Sequence, residues 1–158
     1  MMFENSVEKI TTMIDGMREH NVVPECECFD TGIVRSVGMY ERNGMFGSAP
    51  VHVSLVMGVA SGMPCKPEWV GLLANELAPT THWQTIAIGR ADDVWPTLRR
   101  TAELGGNVRT GMEDTFYLPD GSRARNSGEL IAALVGVCRE VGREPANPEE
   151  TRVLMGMA

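Results

Sequence analysis

Short apolar segments rich in β-branched residues alternate with amphipathic stretches of 11 to 16 residues along almost the whole chain, and this rhythm limits the fold more than any other feature. Strands that alternate with helices of that length are joined by right-handed crossovers into a parallel sheet. Residues 6–20 read as a helix capped by Asn5, with Glu8 three residues on, and Val7, Ile10, Ile14 and Met17 form its apolar stripe. Pro24–Asp30 is the first expected strand. Residues 33–43 follow as a helix offering Val34, Val37 and Met39 for burial, and Pro50–Val59 is the second strand. Pro67 opens a helix turning Trp69, Leu72, Leu73 and Leu77 inward. His82–Gly89 is the third strand, 92–104 a helix ended by Gly105-Gly106, and Gly106–Thr110 the fourth strand. Asn126 with Glu129 caps a helix burying Leu130, Leu134, Val137 and Val141, and Asn147-Pro148-Glu149-Glu150 opens a last short one.

Side-chain parity says what the sheet faces. Glu25, Glu27 and Phe29 alternate with Cys26, Cys28 and Asp30; His52 and Ser54 with Val51, Val53 and Leu55; Asn107 and Arg109 flank Val108. One face therefore meets helices and the other carries Glu, His, Ser and Arg. A doubly wound sheet buried on both sides does not tolerate that, whereas the interior of a (β/α) barrel near its C-terminal mouth does. A barrel needs eight strands and four are present, so the expected fold is an α/β half-barrel over residues 1–158, with no internal boundary.

Composition excludes several classes. A net charge of −7 over 158 residues argues against a nucleic-acid binder. No apolar run approaches the roughly 18 residues of a membrane span. The acidic start MMFENSVEK is unlike an export signal, so a cytoplasmic location is expected. The four cysteines, Cys26, Cys28, Cys65 and Cys138, lack zinc-knuckle spacing and read as small buried hydrophobes.

Chemistry concentrates in Asn107-Val-Arg109-Thr-Gly111-Met-Glu113-Asp114, at the end of the fourth strand, where barrels keep reactive groups. Glu113 has the ligand chemistry for a metal, and Asp114 beside Arg109 that of a general base; the alternative is a solvated acidic turn. Glu27 on the interior face needs a partner, for which Arg109 is the natural candidate; an edge strand facing solvent is the other reading. His52 lies on the same polar face, while His20 sits at a helix end and no paired-histidine spacing occurs. Gly58–Gly62, before a helix, offers amides to an anion, Ser54 lies on the polar face, and Arg90 at the third strand's end suits a carboxylate or phosphate.

These segments — PECECFDTG, VHVSLVMGVASGMP, HWQTIAIGR, GGNVRTGMEDTFYLPDG and NPEETRVLMG — resemble, in order, the second half of the β-keto acid cleavage enzymes. The resemblance implies a zinc-dependent (β/α)₈ barrel that converts a β-keto acid and acetyl-CoA into acetoacetate and a new acyl-CoA. It implies Glu113 as a zinc ligand, Asp114 as base, Arg109 as its partner and Glu27, or Glu25 of the same parity, as the supporting acid. Ser54, Gly58, Gly62 and Arg90 would face the keto acid or CoA. The H-x-H strand that supplies the other zinc ligands in such enzymes is absent from this chain. The remaining strands are then expected from a missing N-terminal half or from self-association; a non-catalytic CoA- or partner-binding remnant is the alternative.

Overall fold

Residues 4–48 and 51–157 are described by a computed structural model. Ten elements follow in order: α1 (Val7–Glu19), β1 (Glu25–Cys28), α2 (Thr31–Arg42), β2 (His52–Met57), α3 (Pro67–Ala74), β3 (His82–Ala87), α4 (Ala91–Glu103), β4 (Asn107–Arg109), α5 (Ser127–Glu140) and α6 (Pro148–Leu154). The four strands form one parallel sheet in the order β1-β2-β3-β4. The chain is thus an α/β fold whose every neighbouring strand pair is joined through a helix, as parallel pairing demands.

The expected parity holds. Cys28, Val53, Leu55, Met57 and Ala87 join Val34, Val37, Val70, Leu73, Val94 and Leu98 of the helices in one buried cluster. Beneath it, the hydroxyl of Thr101 on α4 donates to that of Thr85 on β3 at 2.8 Å, so these two buried hydroxyls satisfy each other. The opposite face carries Glu25, Glu27, His52, Ser54, Val56, Gln84, Ile86 and Arg109. Val56 and Ile86 are buried there without belonging to the helix-facing cluster.

Several local expectations shift. Ser6, not Asn5, caps α1, its hydroxyl accepting from the Lys9 amide at 3.3 Å. Ile14 is buried and Ile10 and Met17 half-buried, but Val7 at the first helical position is exposed. Asp30 leaves the strand to cap α2, its carboxylate accepting from the Ile33 amide at 2.9 Å, so the helix starts at Thr31 rather than residue 33. Met39 turns outward with the polar side of that helix. On α3, Val70 and Leu73 are buried, Trp69 packs on the core as does Leu77 just beyond the helix, and Leu72 is 66% exposed. At about 100° per residue a stripe through 69, 70 and 73 leaves position 72 on the far side. On α5, Leu130 and Leu134 are buried while Val137 and Val141 are only partly covered. The box of Asn147 and Glu150 forms as expected at α6. Of the cysteines, Cys28 and Cys65 are buried, Cys26 and Cys138 half-buried, and all four are free thiols. The expected strand start at Pro50 lies outside the described residues.

Candidate active site at the end of the fourth strand

β4 delivers Arg109 onto the polar face, and the chain then folds back at once. The amides of Asp114 and Thr115 both donate to the Gly111 carbonyl, at 3.0 and 3.1 Å, which closes a turn directly beyond the strand. Ser127, at the start of α5, accepts the Met112 amide at 3.3 Å. A second tie joins this turn to the end of β3: the Gly89 amide donates to the Asp114 carbonyl at 3.2 Å, and the Thr115 hydroxyl donates to the Gly89 carbonyl at 2.9 Å. Asp114 is thereby held between two strand ends by main-chain bonds, with its side chain inside.

The Arg109 guanidinium is shared. Its Nη2 donates to Asp114 Oδ1 at 3.0 Å and to Glu113 Oε2 at 2.5 Å. The two acids differ in setting: the Asp114 side chain is 2% exposed and that of Glu113 83%. Burial pushes the Asp114 carboxyl above the usual carboxylate range; the hydrogen bond and charge of Arg109 oppose that, and the Glu113 charge adds to it. Burial works to lower the Arg109 pKa, but the Asp114 bond and charge, then Glu113 and Glu27, outweigh it and raise the guanidinium. A buried carboxylate with raised basicity, oriented through one oxygen, is the electrostatic form of a general base. Among the described residues Asp114 Oδ2 has no hydrogen-bond partner, so that oxygen is the one available to a proton.

Glu27 is not bound to Arg109. It lies near enough for its charge to favour the guanidinium, but Arg109 gives its hydrogen bonds to Asp114 and Glu113, and Glu27 joins no ion pair among the described residues. The physical reason is reach: the turn after β4 brings two carboxylates to the arginine from its own strand, whereas β1 is three strands away. The structured acid of β1 is instead Glu25. Its Oε1 accepts from the Ser54 hydroxyl at 2.5 Å and from Gln84 Nε2 at 3.0 Å, and Gln84 also donates to Ser54 at 2.9 Å. Sequence reasoning passed over Gln84, although its parity with His82 and Ile86 in β3 placed it on this face.

Below that row the rings of His52 and His82, registered neighbours on β2 and β3, stack at 5.1 Å with 19° between planes. Burial lowers the His52 pKa, the His82 charge lowers it further, and Glu25 opposes both. His52 Nε2 is buried and finds no partner among the described residues.

The loops after β2 and β3 line a cavity of about 460 Å³ with Gly58, Gly62, Lys66, Gly89, Arg90 and Asp93 on its walls. Gly58 and Gly62 serve the turn itself. The Gly58 amide donates to the Met63 carbonyl at 2.8 Å and the Gly62 amide to that of Val59 at 3.0 Å, so neither points free toward an anion. Gly58 has φ +98°, and a Cβ there would lie 1.9 Å from the Ile88 carbonyl oxygen; one at Gly62 would lie 2.8 Å from that of Phe29. Arg90 is the residue before α4 and holds its guanidinium 5.2 Å from the centre of the Tyr117 ring.

As a metal donor Glu113 stands alone. No three His, Cys, Asp or Glu side chains gather into a metal-holding group among the described residues, and the Glu113 carboxylate is turned to Arg109. One carboxylate does not make a zinc site, which needs three protein ligands even where a fourth position stays open. The donors of this chain do not by themselves fit the ion.

A family model described as beta-keto acid cleavage enzyme matches residues 1–157. The chain is 30% identical to a 3-keto-5-aminohexanoate cleavage enzyme of Acetoanaerobium sticklandii, over 99% of this chain and 56% of that one. It is 28% identical to a 3-oxoadipate:acetyl-CoA acetyltransferase of Cupriavidus necator, over 99% of this chain and 55% of the other. With a 3-dehydrocarnitine:acetyl-CoA trimethylamine transferase of Rhizobium meliloti it shares 30% identity over 94% of this chain and 48% of the relative. The chain therefore spans about half the length of the curated relatives it matches.

Proposed function

Since the chain belongs to the beta-keto acid cleavage enzyme family, we propose that it carries the proton-transfer half of an acetyl-CoA-dependent β-keto acid cleavage site. The observation that supports this reading above the others is the ion pair of the half-exposed Arg109 with the buried Asp114 at the C-terminal end of β4, with the Asp114 carboxyl raised by burial. The relatives' names, which speak of keto-acid cleavage and of transfer from or to acetyl-CoA, support the reaction class.

In the proposed reaction Asp114 Oδ2 takes a proton from the carbon between the ketone and the carboxylate of the substrate. The resulting carbanion attacks the acetyl thioester and expels CoA thiolate; the thiolate adds to the former ketone carbon, the old carbon–carbon bond breaks to give the new acyl-CoA, and Asp114 returns its proton to the released carbanion to give acetoacetate. Arg109 holds Asp114 in one orientation through Oδ1 and keeps a positive charge beside the developing anion. Burial of Asp114 keeps its basicity high at neutral pH. The Glu25–Ser54–Gln84 row forms the adjoining polar wall, and the cavity edged by Lys66 and Arg90 is the place where the CoA or the keto acid enters.

Were zinc to be held at a completed site, Glu113 is the donor this chain would offer, the other ligands would have to come from outside it, and the ion would supply Lewis acidity toward the substrate oxygens. The reading is tested by mixing the assembled protein with a β-keto acid and acetyl-CoA and following acyl-CoA and acetoacetate by chromatography. Asp114→Asn should lower turnover by about 10²–10⁴-fold, the usual worth of a positioned base. Unchanged turnover in Asp114→Asn would overturn the assignment of the base.

A further inference from the structure

The loops after β2 and β3 each end in a basic residue placed where a helix start wants an oxygen. Before α1, α2, α5 and α6, the side chains of Ser6, Asp30, Asn126 and Asn147 each accept a first-turn amide. In the same position before α3 and α4 stand Lys66 and Arg90, and neither helix start receives a side-chain cap among the described residues. A cation there adds to the positive end of the helix dipole. Such a break of a local rule, repeated at two neighbouring elements, marks a place where the fold serves something other than its own stability.

Both cations edge one cavity, the space of about 460 Å³ between those two loops. Neither forms an ion pair among the described residues, although Asp93 stands on the same wall. Arg90 lies instead over the Tyr117 ring, and the Tyr117 carbonyl accepts from Trp95 Nε1 of α4 at 3.0 Å, which fixes the platform under the guanidinium. On the cavity wall, the Cys65 thiol donates to the Asp93 carbonyl at 3.5 Å and to Thr97 Oγ1 at 3.6 Å, so the cavity lies on the helix side of the strand ends. Arg109 stands on the other, polar face. Gly89, also on the wall, donates its amide to the Asp114 carbonyl at 3.2 Å, so the cavity adjoins the candidate base across one strand end.

We propose that Lys66 and Arg90 bind the phosphate groups of CoA at this rim, and that Tyr117 positions Arg90 for them. The inference rests on the acetyl-CoA reading above and gives the cavity to the charged end of that co-substrate, not to the keto acid. A β-keto acid carries its own carboxylate on the very carbon that loses the proton, so that group cannot move out to the rim without taking the carbon away from Asp114. The phosphates of CoA, in contrast, are joined to the thioester by a long flexible arm and carry several charges. Two unpaired cations, each at the start of a helix whose dipole adds to its charge, answer a polyanion of that kind.

The test is titration calorimetry of the protein with CoA, with pantetheine, which lacks the phosphates, and with inorganic diphosphate. CoA and inorganic diphosphate should bind with affinities that fall as salt rises, and pantetheine should bind about tenfold or more weakly than CoA. Lys66→Glu and Arg90→Glu should each weaken CoA by about tenfold or more and leave pantetheine unchanged, whereas Lys66→Arg should keep CoA bound. Thermal melting of the two charge reversals should not drop, because both side chains are exposed and an acid suits a helix start. Tyr117→Leu should weaken CoA in the wild-type background and add nothing to Arg90→Glu, as expected of a residue that acts through the arginine. Asp114→Asn should bind CoA as the wild type does, which separates this site from the base. CoA held no tighter than pantetheine, CoA binding that survives both charge reversals, or no binding of CoA and inorganic diphosphate would each overturn the proposal, while the cleavage reading is judged by its own turnover assay.

Discussion

Replacing Arg109 by Met isolates what the shared guanidinium does for the buried carboxylate. Met keeps an unbranched stem of similar length, so the main loss is electrostatic. Two bonds disappear with unequal weights. The partner Glu113 is 83% exposed, and exposed pairs contribute about 0–1 kcal/mol. Asp114 is buried and accepts at 3.0 Å; a hydrogen bond to a charged group contributes about 1.5–3 kcal/mol. Because the arginine side chain is itself 36% exposed, solvent recovers part of that interaction, and the total should fall near the low end, about 2 kcal/mol. The sign of the pH dependence follows from the raised Asp114 carboxyl. Its ionised form needs Arg109, so the loss is full at neutral pH. Once the carboxyl is protonated in the fold, which begins above the usual value of about 4, the arginine has less to neutralise and the loss shrinks. Urea unfolding at fixed protein concentration should show the midpoint of Arg109→Met lowered by about 1 M at pH 7.5 for a slope of about 2 kcal/mol/M, and by clearly less at pH 4.5. A loss that is constant or grows on acidification would refute the account, since the arginine would then be acting through its packing rather than through Asp114.

Two further substitutions test the scaffold beneath the site. Gly58→Ala places a methyl 1.9 Å from the Ile88 carbonyl oxygen at φ +98°, so both strain and collision oppose it; a loss of about 3 kcal/mol or more, read by thermal melting, is expected, and a near-neutral result would refute the described turn. Leu98→Ala in the buried α4 stripe should cost about 2–5 kcal/mol, whereas Leu72→Ala on the outside of α3 should stay within about 0.5 kcal/mol; equal effects would refute the assigned faces of the two helices.

Period-two alternation in 25–28, 52–57 and 107–109 makes the polar face readable in the sequence, because a strand side chain has only two directions to choose from. Helix faces were less legible. Leu72 has the composition of a core residue, and only the phase of an eight-residue helix, too short to average out an error, places it outside. Helix starts were blurred by neighbouring candidates: Asn5 and Ser6 are both good caps, and Asp30 fits a strand end as well as a cap. Within the site, the Arg109-x-x-x-Glu113-Asp114 cluster was local and therefore visible. The Glu25–Ser54–Gln84 row was not, because its members lie 29 and 59 residues apart and meet only through the sheet register.

The double tie between Gly89 and the Asp114–Thr115 segment closes α4 and β4 into a covalent-chain loop of 26 residues whose two ends are fastened to each other. The station of the carboxylate is thereby inherited from the end of β3 and not from the helix between. Substitutions along the outer side of α4 are free to accumulate without moving Asp114. Seen this way, only the outer side of α4 is a free surface on a fixed clasp, and divergence among homologous chains should collect there while the buried stripe and the clasp keep their geometry.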